Sequence, residues 1–271
     1  MTRRDWIKTS VIGIAPAFVR AQTIQEKGRK LIAEAQQALG GDKFLGMRDR
    51  IEEGRAFSYH RERLSGLDVG RFETFYDDAA VGVKQRDKQL FGKKQDFYVI
   101  FGGGGKAWDV SYKGATPLPE ELIKNWEESV LRNVMYILRC RVEEKGMIFE
   151  RRAQEVFDNQ SVEIVDVTDS DNREIAIYLN ATTKLPVRGY FKRQNPKDKG
   201  WDEQDTRYAK YRQTQGVMWP WAITRSRNGE RNLELYSENV QINTGLTASN
   251  FELSAATKLI PTKKPAIKGK Q

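Results

Sequence analysis

Residues 205–212 (Asp205-Thr206-Arg207-Tyr208-Ala209-Lys210-Tyr211-Arg212), then Gly216-Val217-Met218-Trp219-Pro220-Trp221, residues 222–227, Asn228-Gly229 and residues 233–242 decide how this chain folds. They read as three short strands joined by two tight turns. Asn-Gly supplies the two positive-φ residues of a two-residue hairpin, so the strands are expected to be antiparallel. Leu233 and Leu235 share one face of the last strand, while Val240 and Ile242 fall out of phase with them. One extra residue near 237–239 restores the phase, which predicts a β-bulge. Trp219 and Trp221 point to one face, with Tyr208, Tyr211 and Tyr236 on nearby strands, and read as core or cavity lining.

The same period of two runs through most of the chain. Ala56, Ser58 and His60 alternate with Phe57, Tyr59 and Arg61; Phe72, Thr74 and Tyr76 alternate with Glu73, Phe75 and Asp77. Val81 and Val83 begin a third strand. Residues 97–101 are wholly apolar or aromatic, as suits a strand facing a cavity or buried on both sides. Downstream, residues 147–157 and 162–167, Ile175-Ala176-Ile177-Tyr178-Leu179 and residues 187–191 continue the pattern, with turns at 169–172 and 180–186. About twelve strands are expected.

Two segments break the alternation. Ile24, Gly28, Leu31, Ile32, Ala35, Ala38 and Leu39 fall on one face at helical spacing, and Gly40-Gly41 ends the run. Thr116-Pro117-Leu118-Pro119-Glu120-Glu121 is a helix start, with prolines in the first turn and acids at the positive end. The stripe Leu122, Ile123, Trp126, Val130, Val134, Ile137, Leu138 then predicts one helix running on to Gly146. Gly102-Gly103-Gly104-Gly105-Lys106 resembles a phosphate loop only superficially. The position five before its last glycine is Ile100 and the residue after the lysine is Ala107, so a hairpin tip is the reading.

The formal charge is +9. Arg3, Arg4, Lys8 and Arg20 against Asp5 give +3 to residues 1–21, and five lysines from Lys258 to Lys270 give +5 to residues 257–271, leaving +1 for everything between. The body is therefore nearly neutral. Although Arg207, Lys210, Arg212, Arg225 and Arg227 interleave with aromatics, it offers no phosphate-tracking surface, and no nucleic acid is expected as a partner. Thr2-Arg3-Arg4-Asp5-Trp6-Ile7-Lys8, a modest apolar run from Val11 to Val19, and Val19-Arg20-Ala21 read as a twin-arginine-type signal peptide over residues 1–21, cleaved near Ala21. The run is too short to remain as a transmembrane span. A periplasmic protein follows as the expectation, with a single domain over 22–256 and a disordered basic tail over 257–271.

Catalytic and metal chemistry is poorly provided for. His60 is the single histidine and Cys140 the single cysteine, so no multi-histidine or zinc site can be drawn and no intramolecular disulfide forms. Cys140 lies on the helical pattern and reads as a packed, inert thiol. No nucleophile elbow accompanies His60. The acid pairs Asp77-Asp78, Glu120-Glu121 and Glu143-Glu144 read as a turn, a helix start and a helix end. No enzymatic activity, metal or cofactor is expected.

The chain resembles the LolA/LolB-like superfamily of periplasmic lipoprotein carriers and receptors, in its outer-membrane lipoprotein-sorting-like branch. The resemblance rests on Ala38-Leu39-Gly40-Gly41 followed by Arg50-Ile51-Glu52-Glu53-Gly54-Arg55, then Gly105-Lys106-Ala107-Trp108 with a helix after it. It continues through Leu179-Asn180-Ala181-Thr182-Thr183-Lys184-Leu185-Pro186, Tyr211 with Gly216-Val217-Met218-Trp219-Pro220, Val240-Gln241-Ile242-Asn243 and Asn250-Phe251-Glu252-Leu253. It implies a mainly β (α+β) fold: an incomplete antiparallel β-barrel whose concave face is covered by the two amphipathic helices and encloses an apolar cavity for acyl chains. A lipid or lipoprotein acyl chain is then the expected partner, carried without chemistry. The candidate lining is Phe57, Tyr59, Phe75, Phe97, Val99 and Phe101, beneath a lid containing Trp126 and Val130. The alternative is an envelope sensor or scaffold that presents the aromatic strands of residues 208–221 to a protein partner; an enzyme of unrecognised type is the third reading.

Overall fold

The computed structural model describes residues 23–195 and 199–261. The signal-peptide reading, with Arg3 and Arg4, lies outside the described residues. The chain enters through helix α1 (Ile24–Leu39) and the short α2 (Asp42–Leu45). The Thr23 side chain accepts the main-chain N–H of Glu26 while Glu26 reaches back to the N–H of Thr23, which satisfies two of the donors a helix start leaves open. Gly40, at φ 127°, lets the chain leave the helix.

Six strands follow: β1 (Asp49–His60), β2 (Arg63–Tyr76), β3 (Gln85–Phe91), β4 (Phe97–Gly103), β5 (Lys106–Ser111) and β6 (Gly114–Pro117). After the helical segment come β7 (Ile148–Arg151), β8 (Glu155–Phe157), β9 (Gln160–Thr168), β10 (Glu174–Asn180), β11 (Pro186–Gln194), β12 (Trp201–Thr214), β13 (Val217–Arg227) and β14 (Glu230–Ile242). All pair antiparallel in one fourteen-stranded sheet of order β6-β5-β4-β3-β2-β1-β14-β13-β12-β11-β10-β9-β7, with β8 also on β9. The sheet is an incomplete barrel: β6 and β7 are its two edges and do not pair with each other. The expected twelve strands become fourteen because β6 was hidden in a helix-start signal and residues 147–157 divide into β7 and β8.

The hairpin chemistry read from the sequence is present. Asn228 and Gly229 both take positive φ, 53° and 81°, between β13 and β14. The bulge is at Glu238: Glu53 pairs with Asn239 and Gly54 with Ser237, so Glu238 is the residue left over. Val81 lies outside β3 and is fully exposed.

Since β6 and β7 are opposite edges, the segment between them must cross the sheet, and it does so on the concave face. It is not one helix. α3 (Glu120–Leu131) stops at Asn133, whose side-chain oxygen accepts the N–H groups of Met135 and Tyr136 at 2.9 and 3.2 Å and so starts α4 (Val134–Tyr136), continued by a π turn over Ile137–Arg141. An asparagine inside a helical pattern competes for the backbone in this way, and that is why the expected run to Gly146 breaks. Val134 presses onto Gly189 of β11, where an added Cβ would lie 2.6 Å from the valine methyl. Gly28 gives α1 the same closeness to β7, its Cβ position falling 2.3 Å from the carbonyl oxygen of Phe149.

The main core lies between these helices and the concave face. Arg141, buried beneath the crossing segment, donates to the carbonyl of Leu131 at 2.6 Å and pairs with buried Asp169 at 2.9 Å, tying the segment to the β9–β10 turn. A second cluster, on the convex face, packs Phe251 against Phe75, Ile100, Val110 and Ala115. The chain does not turn loose at Thr257. Ala115 of β6 bonds Lys258 and Ile260 through its N–H and carbonyl, both at 2.8 Å, so the end of the described chain covers that sheet edge.

Candidate functional site

Along β1 the inward positions are Arg50, Glu52, Ala56 and Ser58, and along β2 they are Phe72, Thr74 and Tyr76. On β3 they are Gln85, Asp87, Gln89 and Phe91, as the β1–β2 and β2–β3 registers require. Tyr208 of β12, Trp219, Ile223 and Arg225 of β13, and Leu233 and Leu235 of β14 continue the surface. Asn133 and Met135 of the crossing segment roof it, and Gly66 and exposed Leu67 stand at its mouth. These residues enclose a cavity of ≈ 520 Å³, within the roughly 300–1,000 Å³ that small-molecule sites occupy.

The lining mixes apolar and polar residues, Asp68, Glu73 and Lys88 among the charged ones, and a polar rail runs along the floor. Ser237 donates to Glu52; Arg50 lies 3.3 Å from Glu52, stacks its guanidinium 4.2 Å over Trp219 and donates to Thr74 at 3.2 Å. Thr74 donates to Asp87 at 2.9 Å, and Gln85 and the indole N–H of Trp126 donate to the other Asp87 oxygen at 2.8 and 2.9 Å. Glu52 is almost fully buried, and Ser237 and Arg50 of the rail are its partners. Burial pushes the phenol of Tyr76 up to about 12, and that of Tyr208 likewise to about 12 against the pull of Arg225. Both therefore stay neutral at physiological pH and act as wall.

The structure splits the eight expected lining residues. Phe57, Tyr59 and Phe75 are on the convex face: Phe57 packs edge-on to Tyr236 at 5.8 Å, Tyr59 donates to Glu234 at 2.8 Å, and Phe75 stacks on Phe251 at 6.1 Å. Their inward neighbours are Ala56, Ser58, Thr74 and Tyr76. Period two fixes two faces but not which one is inside, and choosing the larger aromatics chose the outer one. Phe97, Val99 and Phe101 do face inward, opposite Phe91, Gln89 and Asp87, but lie beyond the cavity lining. Trp126 stacks on Phe101 at 4.7 Å and reaches the cavity only through its bond to Asp87. Val130 is buried in the core between helix and sheet.

Residues that the reading missed as lining include Arg50, Glu52, Phe72 and Asp87. The signal available for them was the set of small and polar inward positions on strands that otherwise alternate with aromatics. Trp219 and Tyr208, read as core or cavity lining, are 2% and 5% exposed, so the face that a protein partner would need on those strands is covered. His60 is exposed at the end of β1. Burial raises the thiol of Cys140 above its ordinary value, with Arg139 opposing, which fits a packed thiol. Among the described residues no three His, Cys, Asp or Glu side chains group as a metal site, and no helix is long and apolar enough to cross a membrane.

No protein-family model matches the chain, and no curated protein matches it. Solved structures do share its fold. A putative outer membrane lipoprotein-sorting protein domain from Vibrio parahaemolyticus superposes with a TM-score of 0.57 at 13% identity, over 84% of this chain and 97% of that one. A DUF1329 family protein from Desulfovibrio piger superposes with a TM-score of 0.58 at 12% identity, over 85% and 98%. A LolA superfamily protein from Nitrosomonas europaea gives 0.49 at 11% identity, over 81% and 97%. The sheet described above is thus an incomplete barrel of the fold shared by the lipoprotein-sorting protein domain and the DUF1329 family protein.

Proposed function

We propose that this protein binds a lipid or lipoprotein acyl chain in its concave-face cavity and shields it from water without chemical transformation, after export to the periplasm. The observation that carries the reading is the ≈ 520 Å³ cavity itself, walled by Phe72, Tyr208, Trp219, Ile223, Leu233 and Leu235 and left unfilled by the helices. Burying each methylene of a chain there gains about 0.8 kcal/mol. Phe97, Val99 and Phe101 form an inward-facing apolar shelf beside the cavity along which a longer chain extends. The fold shared with a lipoprotein-sorting domain is consistent with this use, and the twin-arginine-type leader supports the compartment.

The test is native mass spectrometry of the protein isolated gently from its own cells. A bound species that extraction identifies as lipid is expected, and its loss is expected when Ala56→Trp fills the cavity floor. A ligand-free spectrum that stays ligand-free after incubation with phospholipid and lysolipid would sink the reading.

A further inference from the structure

Next to the apolar cavity is a smaller polar recess of ≈ 180 Å³, and the two share Asn133, Tyr208 and Arg225 as common wall. Ser129 of α3, Arg132 just after it, Arg193 of β11 and Thr206 of β12 line the recess further. Its volume is several times the roughly 30 Å³ share of one water.

The charge on this recess is unbalanced in a specific way. Arg132 pairs with Glu128 at 2.5 Å and lies over Phe191 at 5.1 Å, and Glu128 is also held by Arg173 at 3.1 Å. Arg193 sits opposite Asp202 in the β11–β12 register, but both oxygens of Asp202 are taken by Arg227, at 2.7 and 2.8 Å. Among the described residues no carboxylate pairs with Arg193 or Arg225, and the Nε–H of Arg193 is buried without an acceptor. Buried donors are nearly always satisfied, so the open Arg193 donor, in a recess that the exposed Arg225 also lines, marks a place for an acceptor that the chain does not supply. Guanidinium groups suit phosphate and carboxylate oxygens through paired N–H bonds.

We infer that the recess is an anion site which holds the phosphate or carboxylate head of an amphiphile whose tail occupies the adjoining cavity. The inference rests on the proposed function for the tail and goes beyond it for the head. Arg225, standing in the shared wall, is placed to touch the junction of the two parts, while Arg193 closes the far side.

Isothermal titration of the folded full chain separates the parts, with decyl phosphate, 1-decanol and inorganic phosphate as probes. Decyl phosphate is expected to bind at least tenfold more tightly than decanol. The variant Arg193→Gln, which alters the recess and not the cavity lining, is expected to remove most of that advantage while leaving decanol affinity unchanged, and Arg193→Lys to restore part of it. Matching thermal melts show that the variants fold. Equal affinity for the two decyl probes, or an advantage that survives undiminished in Arg193→Gln, overturns the inference and leaves the cavity reading intact. Arginine-dependent binding of inorganic phosphate with no decyl probe bound overturns the amphiphile and the acyl-chain reading together, leaving a site for a free anion. No binding of any probe overturns both.

Discussion

The two halves of the concave face are built from the same alternating strands and come out differently. Under α1, the inward positions of β9 and β10 are Val165, Val167, Ile177 and Leu179, all at most 2% exposed and pressed against Leu31, Ile32, Ala35 and Leu39. Between β3 and β14 the inward positions mix small and polar residues, Ala56, Ser58, Thr74 and Asp87, with larger ones such as Phe72 and Leu235, and Trp126 of α3 reaches in to Asp87 without filling the space. One half is a core because its branched side chains meet a close-lying helix, which Gly28 allows within contact of the β7 backbone. The other is a cavity because small and polar side chains leave space that the crossing segment only roofs. Hydrophobic alternation alone does not separate them; side-chain volume does.

The strongest way to break the filled half is at its charged anchor. Asp169 and Arg141 are both buried and paired at 2.9 Å, and Asp169 also pairs with Arg173 at 3.1 Å, so Asp169→Asn takes the buried negative charge from both arginines, leaving Arg141 only Glu144 as a carboxylate partner, and is expected to cost about 3–5 kcal/mol in urea unfolding. Burial pushes the Asp169 carboxyl up, but hydrogen bonds from the Arg173 main chain and from the Arg141 and Arg173 side chains outweigh it and hold it below its ordinary 3.8. A folded value below the unfolded one gives stability that is present above 3.8 and lost as pH falls through the folded value. The gap between wild type and Asp169→Asn should therefore be constant above about pH 5 and close below about pH 4. A gap that persists at pH 2 would show that the carboxylate charge is not what holds the turn.

The next contrast sets the halves directly against each other. Ile177→Ala removes a fully buried side chain beneath the helices and is expected to cost about 2–5 kcal/mol. Ala56→Trp adds a large side chain on the cavity side, where space exists, and should change stability by about 1 kcal/mol or less, well under the cost of overpacking a filled core. Equal losses in the two variants, measured by the same denaturation, would mean that the cavity half is packed in solution.

How far the sequence reveals this division depends on which physical signal each residue leaves. Asn228-Gly229, the bulge at Glu238 and the Gly104-Gly105 tip are legible because turn and bulge chemistry is local. Trp219 is legible as core or cavity lining because it shares a face with Tyr208, while Leu233 and Leu235 are legible only as sharing a face of their strand. Phe57 misleads because the convex face is aromatic too, where Tyr236 meets it edge-on, and Phe75 misleads because the C-terminal segment returns over that face with Phe251. Both coverings are set by residues more than 170 positions away. The edge strand β6 is silent because four residues after a glycine carry no period, and its pairing with 258–260 is again non-local.

The smallest effect, and the one that sharpens the seam between the halves, falls on Asn133. It caps α4 through two N–H groups and lines both the cavity and the polar recess. Asn133→Ala removes the cap and should cost about 1 kcal/mol, whereas Asn133→Ser or Asn133→Asp retains a capping oxygen and should restore most of it. Because α4 roofs the cavity through Met135 and pins Val134 onto Gly189, loss of the cap should loosen the roof before it unfolds the sheet. Hydrogen exchange at Met135 and Tyr136 is the direct readout: faster exchange there with unchanged protection on β9 and β10 is expected. Uniformly faster exchange across both halves would show that the crossing segment and the sheet open as one unit, and that the roof has no independent motion through which a ligand enters.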